Sequence, residues 1–566
     1  MAKQISDIET VRLLVNHLAL GFVSDIVIVP GASNAPISVS LARIPFFHCH
    51  TILDARAAGF FALGMAQLAI PPVALICPNG TALLNCAPAI AEAYYQHLPL
   101  IVVTADRPEE WLNQNDGHMV EQQEALAPFF KYRCQVPSSI SCDDERWYAN
   151  RIMREAVNAS SQNPNGPVHI NIPIREPLGN FNTPPSMRIS GALPIAPLKS
   201  NSELSMKSLC RNFNERKRIM VVIGPMLRSF DVGEFVMKME KNYDVVVVHE
   251  NMSNLVCGKG VKHIDRVLAT ITPEEENAFL PDLVITCGGA VSSRKLQEFI
   301  RKGRLTKTWH IGEEAYAPDT FKSLSVHIPM QPDSFFDQFI KAQGKKRKRS
   351  KFHQLWETKV QIAEQRHKAF IENAPWSDLK AFSIIAQTQP EESDLQLGTS
   401  TPMRYMDLFD YTIIGYTWGN CGTHGIEGCL STATGFTLKT HNTVTVILGD
   451  NSFLYDSNAL LIAELPTALK IIVIDNEGGS SYRISPETSQ IEEVRELCEL
   501  PHEQDIARIA KAYGLKVLKA QDEDSLQMAL KELYAPQDLP ALLVVKTPAH
   551  MNGEVLRQYF QYMREA

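Results

Sequence analysis

"VTVILGDNSFLYDSNALLIAELPTALKIIVIDNEGGSSY", residues 444–482, decides how the rest of the chain is read. It contains two uninterrupted Val/Ile/Leu runs. One ends at Gly449-Asp450 and the other at Asp475-Asn476. Runs of this kind predict parallel strands buried on both faces. In open α/β sheets, ligands bind beyond the carboxyl ends of the strands. Asp450 and Asn476, 26 positions apart, therefore fall at neighbouring strand ends. An Asp carboxylate, an Asn amide oxygen and a glycine carbonyl, placed here at Gly478, are the hard oxygens that Mg²⁺ (or Mn²⁺) shares with a phosphate. The Gly-rich turn also lets backbone N–H groups approach that phosphate. Taken singly, Asp450 reads as a helix cap and Asn476 as a turn residue. The joint pattern favours the metal.

The same alternation of apolar run, polar stop and helical pattern recurs along the chain. "DIVIVPG", "PVALICPNG", "LPLIVVTAD" and "GPVHINIP" come first, then "RIMVVIG", "DVVVVHE", "PDLVITCGG" and "KTWHIG". "YTIIGYTWGN" and "PALLVVKT" flank the opening stretch. The fold class is α/β, with three doubly wound parallel-sheet domains. Their expected bounds are 1–180, 195–342 and 352–566. Connectors are expected at 178–197, rich in Pro, Gly and Ser, and at 343–351, "QGKKRKRSK". The basic run reads as a solvated connector rather than a nucleic-acid patch. The strand-end rule also marks Gly31, Asn79, Asp106, Gly288 and Asn420.

Composition bounds the function classes. The 63 acidic and 55 basic side chains leave a net charge of -8, which gives no pull toward nucleic acid or an anionic membrane. No apolar run reaches the roughly 18 residues that span a bilayer. The first residues lack a signal-peptide core and turn into an amphipathic helix. Eleven cysteines without a C-x-x-C pair suit reduced thiols and a cytoplasmic location.

Beyond the opening stretch, "DARAAGFFALGMAQ", "EAYYQHLPLIVVTADRPEE", "NQNDGHMVEQ", "LGTSTPMRYMDLF" and "WGNCGTHGIEGCLSTATGF" follow in order. Together they resemble the menaquinone-pathway 2-succinyl-5-enolpyruvyl-6-hydroxy-3-cyclohexene-1-carboxylate synthase family (MenD). The resemblance covers nearly the whole chain and is looser in the middle, at "ITCGGAVSSRKLQEFI". It implies thiamin-diphosphate enzyme architecture: a pyrimidine-binding domain, a central transhydrogenase-like domain and a diphosphate-binding domain. It also implies a homodimer or homotetramer, with sites between the first domain of one subunit and the third of another. The implied reaction decarboxylates 2-oxoglutarate and joins the remaining succinyl group to isochorismate. By the same resemblance Asp450, Asn476 and Gly478 hold the metal. Asn79, Gly80, Ser400, Asn420, Gly449, Asn451 and Ser452 lie against the thiamin diphosphate, and Arg107 and Arg294 suit substrate carboxylates.

The chain departs from the family pattern inside the pocket. The family's acidic "D-E-R" reads Asp54-Ala55-Arg56, so a methyl stands where the activating glutamate would be. "G-S-R" reads Gly31-Ala32-Ser33, and "S-N-R-G" reads Gly419-Asn420-Cys421-Gly422, each losing an arginine. His118 replaces a glutamine and is a candidate substitute acid–base group. His424, Glu427 and Cys421 are further candidates, with Cys421 read as a buried thiol. "FHCH", 47–50, is read as no metal site because one sequence neighbourhood supplies every ligand. Three functions remain open. One is a thiamin-diphosphate- and Mg²⁺-dependent synthase acting on a 2-oxoacid or another anionic substrate, with altered or impaired chemistry. Another is a non-catalytic cofactor-binding or regulatory relative. The third, and least specific, is a relative that has lost the cofactor and uses the cleft for something else.

Overall fold

The computed structural model describes residues 3–68, 71–182, 203–255, 260–344, 351–463, 465–479, 481–484 and 488–565. Most of the connector at 178–197 and the basic core of 343–351 lie outside them. The first sheet holds β1 (Asp25–Ile28), β2 (His48–Thr51), β3 (Val73–Cys77), β4 (Leu100–Asp106), β5 (Tyr132–Gln135) and β6 (Val168–Pro173). The second holds β7 (Ile219–Ile223), β8 (Val245–His249), β9 (Leu283–Cys287), β10 (Lys307–Ile311) and β11 (Leu324–Ile328). The third holds β12 (Ser393–Leu397), β13 (Thr417–Gly419), β14 (Thr443–Gly449), β15 (Leu469–Asp475), β16 (Lys516–Ala520) and β17 (Ala541–Lys546).

Pairing is parallel in all three sheets. The first sheet runs β2-β1-β3-β4-β6-β5 and the third β13-β12-β14-β15-β17-β16, which is the same order by rank. The second runs β11-β10-β9-β7-β8. The chain is therefore three α/β domains, as its patterning predicts, with the outer two built alike. β3, β4, β6, β7, β8 and nearly all of β15 and β17 are buried, as their runs required, with His169 and Asn171 of β6 as buried polar exceptions. "YTIIGYTWGN" needs a correction, because only Thr417–Gly419 of it pairs. Before that the chain passes close at Gly415, where a Cβ would meet the Ser393 carbonyl oxygen at 2.1 Å. Only Gly permits that approach.

The like sheets meet through equivalent helices. Ala55–Ala66 follows β2 and Cys429–Thr437 follows β13, and both are buried almost throughout. Phe60, Phe61, Leu430 and Phe436 join one apolar cluster that runs from Val27 and Leu75 into Val446 and Val473. The second sheet is tied to the third by the Lys351–Asn373 helix, whose Trp356 is buried against Phe279 and Phe299. Burial of such aromatics contributes about 1.5–3 kcal/mol each.

Candidate functional site

β14 and β15 are neighbours in register, with Gly449 opposite Ile474, so Asp450 and Asp475-Asn476 emerge side by side. Asp450 is 2% exposed. Its Oδ2 accepts from the backbone N–H groups of Asn476 (3.2 Å) and Gly478 (2.9 Å), and its Oδ1 from that of Asn451 (2.6 Å). The turn that makes this close approach has φ of 62° at Glu477 and 119° at Gly478. A Cβ at 478 would also sit 2.5 Å from the Glu499 carbonyl oxygen, so glycine is required there. Asn476 Nδ2 donates to Asp378 Oδ2 at 2.9 Å. A carboxylate only accepts, so this contact sets the amide and leaves Asn476 Oδ1 facing away from Asp378. Thr547 Oγ1 donates to the other Asp378 oxygen, and burial pushes the Asp378 carboxyl up to about 6.

The donors expected for a diphosphate already have partners within the chain. The Glu499 carbonyl accepts from Gly479 N–H (2.7 Å) and Asn451 Nδ2 (3.2 Å). Arg483 Nε holds the Glu499 carboxylate at 2.6 Å. His502 Nε2 lies 3.3 Å from Asp450 Oδ2. Ser452, expected against the cofactor, turns its hydroxyl to the Ile426 carbonyl instead. Gly449 precedes the Asp450–Tyr455 helix with open space around its Cα.

Across the cleft, Ser400 holds a φ of 77°, rare for a residue with a side chain. Such conformations concentrate at ligand sites. Asn420 is buried, and its Oδ1 has no partner. An orphaned buried acceptor of this kind marks a place where a donor is missing. Cys421, where the family pattern has arginine, is buried, and burial drives its thiol far up. The loop around it is anchored by buried Glu92, which accepts from the N–H groups of Gly422 and Thr423, both at 2.6 Å. His424 is exposed, and partial desolvation still holds its imidazole below its ordinary pKa.

In the first sheet the turns after β1 and β3 meet. Asn79 N–H donates to Ser33 Oγ at 3.0 Å, so the serine in an arginine's place staples two turns. Asn79 Nδ2 reaches the His118 carbonyl at 3.2 Å, and a Cβ on Gly80, at φ 89°, would meet that same oxygen at 3.0 Å. His118 thus touches the site through its backbone while its imidazole is exposed. Ala55 opens its helix, half-buried, directly after the cap Asp54. Asn458 Nδ2 donates to Asp54 Oδ2 (2.7 Å) and Arg56 Nη2 to the Tyr455 carbonyl (2.7 Å). Both neighbours of Ala55 are therefore locked onto the segment that begins at Asp450.

The substrate arginines divide. Arg107 pairs with Asp116 (3.1 Å) and Glu176 (3.6 Å), the ordinary ion pair of a loop. Arg294 is exposed at the start of its helix and close enough to Arg404 to lower that guanidinium's pKa, after burial. Arg404 was missed in the sequence, although it lies one helical turn beyond Ser400 in "STPMR". The two cations, from different domains, lie within electrostatic range of each other, with Asp265 partly offsetting them at Arg404. His502 and Asp475 were also missed, since "PHEQD" carries no motif of its own. "FHCH" forms β2, and its histidines join no metal-capable group among the described residues.

The donor set fits a diphosphate-bound hard cation: Asp450, the amide oxygen of Asn476 and the peptide turn at Gly478. Comparisons agree. The thiamine pyrophosphate enzyme N-terminal TPP binding domain matches residues 8–126, and the corresponding C-terminal TPP binding domain matches residues 400–545. The 2-succinyl-5-enolpyruvyl-6-hydroxy-3-cyclohexene-1-carboxylate synthase of Porphyromonas gingivalis is 36% identical over 100% of this chain and 98% of its own. The synthases of the same name from Flavobacterium psychrophilum and Christiangramia forsetii are 34% and 32% identical, over 95% and 99% of this chain and of their own.

Proposed function

The chain belongs to the 2-succinyl-5-enolpyruvyl-6-hydroxy-3-cyclohexene-1-carboxylate synthase family, and from that premise we propose a thiamin-diphosphate- and Mg²⁺-dependent synthase that forms carbon–carbon bonds from a 2-oxoacid, with substrate and rate changed from its relatives. Bound thiamin diphosphate would supply the electron sink for making and breaking bonds beside a carbonyl. Asp450, Asn476 and Gly478 hold the metal in this reading. Asn420, with its unpaired Oδ1, and Ser400, Gly449 and Asn451 line the cofactor on the third domain, and Asn79 and Gly80 on the first. The anionic substrate sits at Arg294 and Arg404, Arg107 being engaged elsewhere. The assembly in this reading is a homodimer or homotetramer in the cytoplasm, with no nucleic-acid or membrane partner.

The observation that carries the altered chemistry is Ala55. Its backbone is seated by Asp54 and Arg56, so the position is kept while the acid is gone. General acid–base groups typically contribute about 10²–10⁴-fold. No carboxylate stands in at 55, and the exposed His118 imidazole lacks a fixed partner that would aim it. The Glu499 carbonyl on Gly479 and Asn451 favours neither the synthase nor the second bound-cofactor reading, a relative without turnover; it supports a third, a relative that has lost the cofactor and uses the cleft for something else.

Calorimetry with thiamin diphosphate and Mg²⁺, followed by NMR exchange of the cofactor's C2 proton, tests both. Binding is expected, with exchange slow in the wild type and about 10²-fold or more faster in Ala55→Glu. Absence of binding rules out both readings. Exchange no faster than in free cofactor, with the variant unchanged, removes the synthase and leaves the second.

A further inference from the structure

Asp450, Asp475 and His502 offer two carboxylate oxygens and one imidazole nitrogen that all lie within 4.8 Å of one another. Two ligand atoms, each about 2.1 Å from one ion, stand roughly 3.0–4.2 Å apart. His502 Nε2 and Asp450 Oδ2, 3.3 Å apart, already meet that spacing, and side-chain adjustment of a few tenths of an ångström brings the whole group within it. Three separate segments deliver them: the end of β14, the end of β15 and the Leu500–Asp505 loop. His502 is 11% exposed at its side chain; its Nδ1 accepts from Gln504 N–H at 3.3 Å and its Nε2 lies 3.3 Å from Asp450 Oδ2, so an ion at Nε2 takes the place of the proton now shared with Asp450. Asp475 and His502 also line a cavity of about 950 Å³ beyond the ends of β15, β16 and β17. Glu477, Gln504 and Lys519 share that wall, so Asp475 and His502 are reached from the cavity.

We infer that Asp450, Asp475 and His502 form a second way of binding a divalent ion in this chain, one selective for a transition ion such as Zn²⁺ or Co²⁺. The inference goes beyond the thiamin-diphosphate reading and needs no cofactor. The imidazole is what sets the selectivity. Mg²⁺ takes oxygen ligands and keeps its waters, whereas Zn²⁺ and its neighbours accept neutral imidazole readily. The site shares Asp450 with the diphosphate-bound metal. It keeps His502, and with it the Glu499 carbonyl, over the turn that a diphosphate would otherwise occupy. Zn²⁺ alone and thiamin diphosphate with Mg²⁺ therefore exclude each other.

The test uses tag-free full-length protein with no thiamin diphosphate. Co²⁺ titration, read by visible absorption, is expected to saturate at one tight ion per chain and to survive a hundredfold excess of Mg²⁺. His502→Gln and Asp475→Asn are expected to weaken that ion by about 10–100-fold or more. Circular dichroism without metal checks that the variants fold. Should they not fold, Zn²⁺ protection of His502 from diethyl pyrocarbonate, mapped by mass spectrometry on the wild type, gives the answer instead. Identical Co²⁺ titration by wild type and folded variants overturns the inference. Displacement by equimolar Mg²⁺, or an unprotected His502, does the same. The calorimetry with thiamin diphosphate and Mg²⁺ is read independently, so the two proposals fail separately.

Discussion

Gly64 and Gly435 lock the two like domains together reciprocally. A Cβ on Gly64 would stand 1.9 Å from the Thr432 carbonyl oxygen, and one on Gly435 2.0 Å from that of Phe61. Each glycine meets the residue three before the other, so the helices cross about a local two-fold within one chain. Isologous contact of this kind is normally found between identical subunits.

That crossing predicts an inverted glycine-to-alanine ranking. In a helix interior alanine is usually better by about 1 kcal/mol. At Gly64 and Gly435 the methyl has nowhere to go, and Gly64→Ala is expected to cost about 1–3 kcal/mol net, as overpacking does. Gly233, in the Phe230–Tyr243 helix, has nothing within 4 Å of its would-be Cβ. Gly233→Ala is expected to stabilise by about 0.5–1 kcal/mol. Denaturant midpoints of the two variants measure both. Equal shifts would show that the helix crossing is looser than described.

Buried Asp456 sets a pH dependence. Its oxygens accept from Ser431 N–H (2.7 Å) and Ser431 Oγ (2.8 Å), and burial pushes the carboxyl up to about 7. An unfolded Asp titrates near 3.9. The native state therefore keeps a proton that the unfolded state has lost. The resulting stability is fully present below about pH 4 and is lost as pH rises through about 7. The upper limit is about 4 kcal/mol, at 1.36 kcal/mol per unit. Unfolding free energies at pH 5 and 7.5 are expected to fall more steeply in wild type than in Asp456→Asn. Parallel slopes would place the titration elsewhere.

The Glu499 carbonyl makes a kinetic prediction. Any diphosphate oxygen that takes Gly479 N–H and Asn451 Nδ2 must first displace it. Hydrogen exchange across 495–502 is expected to rise when thiamin diphosphate and Mg²⁺ bind, and to fall with Zn²⁺ alone. Mass spectrometry of those peptides reads both. Protection by the cofactor would mean that the segment closes over it rather than yielding its place.

Arg294 and Arg404 predict a stabilising anion. Small dicarboxylates are expected to raise the melting temperature of wild type by a few degrees at low salt and to lose that effect in Arg404→Gln. A shift that persists in the variant would locate the anion at another site.

Much of this was legible in the residues alone. Long Val/Ile/Leu runs have one stable home, a parallel strand covered on both faces, so β3, β4, β7, β8, β14, β15 and β17 follow from composition and length. Their polar stops then place Asp450 and Asn476 at adjacent strand ends, and the missing acid at Ala55 is plain from its neighbours. β2, β5, β11 and β16 are short and half-exposed and carry no such run. β12 is buried yet polar. Its Asp394 accepts from Tyr416 N–H and Thr440 Oγ1, and its Gln396 donates to Gln67, 329 residues away. Partners so distant leave no local pattern.

What the one-dimensional order determined, then, is three parallel-sheet domains and the placing of Asp450 and Asn476 at neighbouring strand ends, because burial on two faces is a property of each run taken alone. Only the folded chain decided that Arg107 is occupied by Asp116, that Arg404 lies within electrostatic range of Arg294, that the Glu499 carbonyl takes Gly479 N–H and Asn451 Nδ2, and that His502 joins Asp450 and Asp475. Those facts depend on which loops converge at one sheet edge, and convergence is settled by packing between segments far apart in sequence, such as Gly64 against Thr432.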